Sequence, residues 1–168
     1  EGIVRNIQVD YENPDLLFLS TELGLYITLN SGEKWYKFTN NMPSVATHFI
    51  ALQKQTNDLV LGTHGRGVII IDDISPLREL NDKVMDKTLH FFNSKPTVIK
   101  ETKSFSGGFG NETQFVGRNK SSQAQIKYHL KKRHTFGKMT MAIVDQKGDT
   151  ITELTPGKSK GINIVSWS

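Results

Sequence analysis

The sequence lacks features that would assign it to several common classes of protein. It contains no cysteine, which excludes disulfide frameworks, thiol catalysis and cysteine-based zinc sites. It has no apolar run of the roughly 20 residues that a membrane-spanning helix requires, so we expect no membrane partner. His48, His90, His129 and His134 show no metal-ligand spacing, and neither a metal nor another cofactor is predicted.

Acidic residues are scarce in the second half of the chain. Residues 1–89 contain 8 Lys/Arg and 12 Asp/Glu, whereas residues 90–168 contain 13 and 5, which predicts two units with a boundary near residue 90. Residues 113–144 contain seven basic residues and no acidic one. Such a stretch can bind nucleic acid or acidic glycans. Because few aromatic residues are interleaved with the charges, we interpret it as a solvated strand face and expect no nucleic-acid partner.

Helical patterns are also rare, and the chain is predicted to be all-β. Only residues 76–87 have helical periodicity, with Ser75 as the expected N-cap and Pro76 at the first helical position. Elsewhere, short apolar runs lie between turn residues, as is typical of strands. The predicted strands are Val4–Val9, Leu16–Thr21, Leu25–Leu29, Trp35–Thr39, Thr47–Gln53, Leu59–Thr63, Val68–Asp72, Gln125–Leu130, Met139–Val144, Ile151–Leu154 and Ile162–Trp167.

Two stretches of the chain, residues 5–27 and 48–70, have similar sequences. Thr21 and Thr63 lie 42 residues apart, and Ile7 and Ile50 lie 43 apart. A strand repeat of this length is typical of the four-stranded blades of a β-propeller. A propeller ring needs at least four blades, so we expect this chain to be a piece of a larger protein.

The patterns together predict three segments. Residues 1–73 would form two propeller blades, the second without its fourth strand, because Ser75-Pro76 diverts the chain. Residues 74–100 would form a linker with the short helix. Residues 101–168 would form an incomplete antiparallel β-sandwich of immunoglobulin-like type. Within it, Lys127 and His129 would lie on the solvated face of their strand, and Met139–Val144, which is apolar on both faces, would be a central strand.

One motif in the first repeat points to a known turn. Thr28, Asn30, Gly32 and Trp35 have the spacing Thr-x-Asn-x-Gly-x-x-Trp, which resembles the Asp-box of bacterial neuraminidase repeats, with Asn30 and Lys34 in place of the usual Asp and Thr. An Asn carbonyl can accept backbone N–H groups within a turn. Gly32 would supply backbone freedom, and Trp35 would bury its ring beside the blade. The resemblance implies a structural role for these four residues.

A wider resemblance covers most of the chain. Residues 20–28 and 61–78 are similar to the last blades of sortilin-like and neuraminidase-repeat propellers. In these proteins an immunoglobulin-like or flagellar-hook-capping-like domain follows. The resemblance implies a secreted bacterial protein, extracellular or periplasmic, in which this segment binds a glycan or a protein or serves as a scaffold. Two alternatives remain open: a glycoside hydrolase whose catalytic acids lie on other blades, and a sortilin-like peptide receptor.

Two pairs of residues are candidates for ligand contact. His64 and Arg66 lie in a glycine-rich turn that would contact a glycan or simply join two strands. Asp72 and Asp73 form an acidic pair of the type that serves glycosidases, but neighbouring strand residues point to opposite faces, and a capping role before Ser75 is favoured. No catalytic residue is assigned.

Two partners follow from the predicted architecture. The first is the remainder of the parent propeller. The second is another copy of the chain, because strand 68–71 would present unpaired backbone groups at a sheet edge.

Overall fold

The computed structural model describes residues 2–94, 96–97 and 123–167, and the chain divides into two compact units, Glu1–Asp86 and Lys87–Ser168. The prediction of an all-β chain is confirmed, because the described strands form four antiparallel sheets and the two described helices have five residues each. Neither described helix is long and apolar enough to cross a membrane. The first part of the predicted segment 101–168 lies outside the described residues.

The first unit contains two sheets that correspond to the two similar stretches of sequence. Sheet I has four strands in chain order and sheet II has three, and every neighbouring pair is antiparallel. All seven strands predicted here are present, with bounds within two residues. They are β1 (Val4–Val9), β2 (Leu17–Thr21), β3 (Gly24–Thr28) and β4 (Tyr36–Lys37) in sheet I, and β5 (Thr47–Gln53), β6 (Asp58–Thr63) and β7 (Val68–Ile71) in sheet II.

The repeat is visible in the hydrogen bonds of the turns. Thr21 Oγ1 donates to the carbonyl of Gly24 at 3.0 Å, and Thr63 Oγ1 donates to the carbonyl of Gly67 at 2.7 Å. Two residues separate the first pair and three separate the second. The longer turn changes the spacing of equivalent residues from 42 in β2 and β6 to 43 in β3 and β7.

The core of the first unit lies between the two sheets. Strand β5 packs against β1 and β2. Each sheet buries one face, and each fully buried Leu or Phe side chain contributes about 1.5–3 kcal/mol. The buried apolar residues of these faces are Phe18, Leu25 and Ile27 in sheet I, and Ile50, Leu59 and Leu61 in sheet II.

Two short helices follow sheet II where one was predicted. They are α1 (Ser75–Glu79) and α2 (Asp82–Asp86). Leu80 ends α1 because its backbone is extended, with φ −68° and ψ 123°. Asn81 then starts α2, since its Oδ1 accepts the Val84 N–H at 3.0 Å, and this side-chain cap competes with continuation of the first helix.

The prediction that Ser75 caps the helix is wrong. Ser75 is the first helical residue, and the N-cap position is held by Ile74, which makes no side-chain cap hydrogen bond. Pro76 lies in the first turn as expected, where its missing N–H removes no helical hydrogen bond.

A buried ion pair fixes α1 against the loop between β1 and β2. Arg78 Nε donates to Asp10 Oδ2 at 2.8 Å and Nη2 donates to Oδ1 at 2.9 Å, while Nη1 lies 2.8 Å from Glu12 Oε2. Both side chains of the Asp10–Arg78 pair are buried. Asp10 Oδ2 also accepts the N–H groups of Glu12 and Asn13, and Asn13 Nδ2 donates to the Arg78 carbonyl. Both carboxylate oxygens of Asp10 and the fork of the guanidinium are therefore matched.

Tyr11 extends this loop to sheet II. Its hydroxyl oxygen lies 3.0 Å from the carbonyl oxygen of Lys54 and also contacts Oδ1 of Asn57 in the β5–β6 turn, so its single hydrogen is shared between two acceptors. The guanidinium of Arg78 lies 4.5 Å from the centre of the Tyr11 ring, a cation–π distance. The β1–β2 loop of sheet I thus contacts both the β5–β6 turn of sheet II and helix α1.

The described residues of the second unit form a three-stranded and a two-stranded sheet. Sheet III has the order β12-β9-β8, formed by β12 (Gly161–Trp167), β9 (Ala124–Leu130) and β8 (Leu89–Phe91), and sheet IV pairs β10 (Met141–Val144) with β11 (Thr150–Leu154). The segment 74–100, predicted as a linker, contains α1, α2 and β8. Strand β8 was missed because its pairing with β9 joins residues distant in sequence.

Strand β10 is not a central strand as predicted. Among the described strands it pairs only with β11, and Ala142 and Val144 are exposed. The reversal at 145–149 has the expected geometry, since Asp145 Oδ1 accepts the N–H groups of Lys147 and Asp149 and Gly148 has φ 92°. This turn holds the two-stranded sheet in register.

The core of the second unit joins sheets III and IV. Tyr128 is fully buried at its centre, and its hydroxyl donates to the carbonyl of Gly157 at 2.6 Å. The other buried members are Leu130, Met141 and Val165, with Ile126, Met139 and Leu154 packed around them.

The opposite face of β9 is also covered, contrary to the prediction. Lys127 and His129 are both buried, although strict alternation places them on the face expected to meet solvent. His129 lies opposite His90 on β8, and its Nδ1 has no hydrogen-bond partner among the described residues. Burial lowers the pKa of His129 below its ordinary value of 6.5, and the nearby charges of His90 and Lys160 lower it further.

We expect loss of Arg78 to destabilise the first unit strongly. Burial raises the pKa of Asp10, but the hydrogen bonds from Arg78, Asn13 and Glu12 and the charge of Arg78 outweigh burial, so the pKa lies below 3.8. Arg78→Met leaves an unpaired buried carboxylate and should cost about 3–5 kcal/mol, and Asp10→Asn in the same chain should restore part of this. The free energy of unfolding can be followed by Trp35 fluorescence in a Trp167→Phe background.

The pH dependence of the same variants provides an independent check. The stabilisation from Asp10 is present above its unfolded pKa and is lost as pH falls through the lowered folded pKa. Arg78→Met should therefore lose less stability than the wild type on acidification below pH 3.8. Equal acid sensitivity of the two chains would contradict the assigned ion pair.

We expect the second unit to lose stability as pH falls below about 6.5. The folded pKa of His129 is lowered, so the unfolded chain takes up the proton first, and stability rises with pH through this window. Denaturant midpoints measured by Trp167 fluorescence in a Trp35→Phe background should show the dependence, and His129→Gln should reduce it. His64→Gln, an exposed histidine of the first unit, is the control and should leave it unchanged.

Candidate functional site

The turn between β3 and β4 is held by side-chain hydrogen bonds. Asn30 Oδ1 accepts from Thr28 Oγ1 at 2.9 Å and from the Lys34 N–H at 3.0 Å. Thr28 Oγ1 in turn accepts the Gly32 N–H at 3.0 Å, and Thr28 is fully buried. The backbone groups of the turn are thereby satisfied without strand partners.

Backbone conformation explains the glycine of this turn. Ser31 has φ 55° and Gly32 has φ 96°, both in the left-handed region that favours glycine. A Cβ at Gly32 would lie 3.7 Å from the Trp35 ring, so the indole packs over the turn. Trp35 is only half-buried, and the prediction of a buried ring is wrong because the ring covers the turn and does not enter the core between the sheets.

The glycine-rich turn between β6 and β7 presents two charged or titratable side chains to solvent. His64 and Arg66 are both exposed, and Gly65 and Gly67 have positive φ values of 85° and 64°. The His64 N–H donates to the Ala46 carbonyl at 2.9 Å, which fixes the start of the turn to the start of β5.

His48 also lies at this turn, although no sequence pattern indicated it as a candidate for ligand contact. The rings of His48 and His64 are stacked, with centroids 5.5 Å apart and an interplanar angle of 22°. Together with Arg66 they form what we call the basic edge of sheet II. The repeat contained the signal that could have found His48: it lies 43 residues after Arg5, as His64 lies 42 after Glu22.

The equivalent edge of sheet I has a different character. There Arg5 and Glu22 form an exposed ion pair. Replacement of the carboxylate of Glu22 by the imidazole of His64 removes the neutralising partner at this position. The basic edge of sheet II therefore offers nitrogen donors to a ligand where sheet I pairs its own charges.

The acidic pair lies at the other end of β7. Asp72 is exposed, whereas Asp73 is half-buried with φ 46°. The Asp73 N–H donates to Asp58 Oδ1 at 2.9 Å, and the Ser75 N–H donates to Asp73 Oδ1 at 3.3 Å. Asp73 follows Asn30 by 43 residues, so in sheet II the position of the turn asparagine holds an acid that contacts the start of α1.

The predicted residues thus fall into three separate places. Thr28, Asn30, Gly32 and Trp35 meet in one turn of sheet I. His64 and Arg66 meet at the basic edge of sheet II, and the Asp72–Asp73 pair lies away from them across the length of β7. Among the described residues, no group of three His, Asp or Glu side chains is arranged to hold a metal ion.

Comparisons of the chain with protein-family models, with curated proteins and with solved structures find no match.

We expect Asn30→Ala to destabilise the first unit by about 0.5–2 kcal/mol, since it removes the acceptor of two hydrogen bonds in the turn. Asn30→Asp keeps the acceptor and is the matched control. It should destabilise the unit less than Asn30→Ala does, and the destabilisation that remains is due to repulsion from the carboxylate of Glu33, which lies 3.5 Å from Asn30 Nδ2. Trp35→Ala should cost less than the about 3–5 kcal/mol of a core tryptophan. Unchanged thermal unfolding of both alanine variants would contradict a stabilising turn.

Proposed function

We propose that this chain is a binding and scaffold segment of a β-propeller protein that acts outside the cytoplasm, and that the basic edge of sheet II receives an acidic group of a glycan or protein ligand. The proposal is supported by the two equivalent sheets, by the turn built on Asn30 and by the resemblance of residues 20–28 and 61–78 to neuraminidase-repeat propellers. Rigid sheets hold such turns in place, and turns of this kind commonly carry the function of a fold.

The replacement of an ion pair by cationic and imidazole side chains is the observation that carries the proposal. In sheet I, Arg5 is paired with Glu22. In sheet II, His48 stacks on His64, and Arg66 projects from the same turn. A guanidinium binds a carboxylate or sulfate through two parallel hydrogen bonds, and imidazoles add donors beside it. Exposed basic groups without a built-in acid are suited to a ligand that brings its own negative charge.

The experiment compares an acidic glycan with its neutral counterpart. The chain should bind a sialylated oligosaccharide more tightly than the same oligosaccharide without its sialic acid, because only the first has a carboxylate for Arg66. Arg66→Gln and His64→Gln should each weaken binding of the acidic ligand by about tenfold to a hundredfold, since charge-assisted hydrogen bonds contribute about 1.5–3 kcal/mol. Isothermal titration gives both affinities directly.

The control is Arg133→Gln, which removes an arginine of the second unit that is also exposed and should leave both affinities unchanged. An acidic peptide titrated in parallel tests a protein ligand at the same edge. Equal affinity for the charged and neutral ligands, or equal losses from Arg66→Gln and Arg133→Gln, would contradict the proposal. Glycoside turnover that disappears in Asp72→Asn or Asp73→Asn would instead favour a hydrolase.

A further inference from the structure

Sheet II has an apolar face that no described residue of its unit covers. We call it the outer face of sheet II. In the register of the sheet, Phe49 aligns with Gly62 and Val68 in one row, and Ala51 aligns with Val60 and Ile70 in the next. Phe49, Val68 and Ile70 are 70%, 65% and 59% exposed. Three large apolar side chains on adjacent strands form a contiguous patch of the kind that marks an interaction surface.

The first sheet has a corresponding uncovered face, the outer face of sheet I. Ile7 aligns with Leu19 and Tyr26 in one row, and Val9 aligns with Leu17 in the next. Ile7 and Val9 are exposed, and the other three side chains are half-buried. Both outer faces therefore present apolar rows, and they lie on opposite sides of the pair of sheets.

The interface inside the unit shows how two such faces fit together. The inner face of sheet I contains Phe18, Ser20, Leu25 and Ile27, all buried, and the inner face of sheet II contains Ile50, Leu59 and Leu61, also buried. The sheets meet with β5 against β1 and β2. This interface shows how one sheet of the repeat packs on the next.

The repeat relates the outer faces to the inner ones. At the spacing of 42 or 43 residues, the inner face of sheet I corresponds to the outer face of sheet II, residue by residue. The corresponding pairs are Phe18 and Val60, Ser20 and Gly62, Leu25 and Val68, and Ile27 and Ile70.

The same spacing relates the two remaining faces. The outer face of sheet I corresponds to the inner face of sheet II, through the pairs Ile7 and Ile50, Leu17 and Leu59, and Leu19 and Leu61. The outer face of sheet II therefore has the same position in the repeat as the inner face of sheet I, and the outer face of sheet I has the same position as the inner face of sheet II. Because the two inner faces pack on each other, the two outer faces are expected to fit in the same way.

We propose that copies of this chain associate head to tail, with the outer face of sheet II of one copy packed on the outer face of sheet I of the next. The contact repeats the packing that already joins the two sheets within one copy. Because the two surfaces differ, the interface is heterologous, and it continues from copy to copy as an open chain or closes as a ring. This inference does not depend on the basic edge of sheet II, which lies at the strand ends and not on either face.

Two single substitutions block one surface each. Phe49→Lys places a charge in the outer face of sheet II, and Ile7→Lys does so in the outer face of sheet I, where the side chain is 54% exposed. Both side chains are exposed in the isolated unit, so the fold should be retained, and circular dichroism checks this. Leu23→Lys is the matched control, because Leu23 is 45% exposed in the β2–β3 turn and belongs to neither face.

Sedimentation velocity of the full chain tests the proposal. The wild type and Leu23→Lys should form concentration-dependent oligomers, and each blocking variant alone should be monomeric, with association weakened roughly thirtyfold or more. An equimolar mixture of the two blocking variants should form a heterodimer and nothing larger, because one copy keeps an intact outer face of sheet I and the other an intact outer face of sheet II.

Three results would overturn the proposal. The first is a wild type that stays monomeric at high concentration. The second is self-association of either blocking variant alone, which would indicate a symmetric contact between like faces or pairing along the edge of β7 that has no partner among the described strands. The third is a mixture of the two variants that remains monomeric while each is folded.

Discussion

The buried pair of Asp10 and Arg78 is the constraint on which the first unit depends. A buried ion pair contributes little net stability compared with apolar residues of the same size, but loss of one partner is costly. Its effect here is to fix geometry. Strand β7 has no fourth strand beside it among the described residues, and the chain turns at Asp73 into α1. Arg78 brings that helix back to the β1–β2 loop, where Tyr11 also holds the hairpin of sheet II.

The two sheets differ most in their turns, outside the apolar positions of the strands. Most strand positions that face the other sheet, or would face one in the proposed stack, are apolar in both copies, as Leu61 on the inner face of sheet II and Leu19 on the outer face of sheet I show, because a polar group buried there would lose its hydrogen bonds to water. The turns carry no such restriction. The Arg5–Glu22 pair becomes the stack of His48 on His64. Differences between copies of a repeat therefore identify surfaces that are free to acquire a ligand.

Local pattern was sufficient for every described strand except β8 and insufficient for the contacts between strands. Alternation and turn residues located β1 to β7 within two residues, and they predicted a turn around Asn30 whose side-chain hydrogen bonds are present. The Asp10–Arg78 pair could not be predicted, since 68 residues separate its members. The burial of Lys127 and His129 was missed for a related reason: alternation tells which residues share a face of a strand, not whether that face is covered.

The basic edge of sheet II lies at the strand ends and the apolar outer face lies on the sheet surface, and this separation has a consequence for the proposed binding. His64 and Arg66 lie in the turn at the strand ends, whereas Phe49 and Ile70 project from the sheet face. Stacking of copies through these faces would not itself cover the strand ends where the basic edge lies. An extended acidic ligand that spans several edges would then bind more tightly than its single contacts imply, because each later contact forms at a high effective concentration. The two proposals remain independent, since a monomeric chain could still bind one acidic group at one edge.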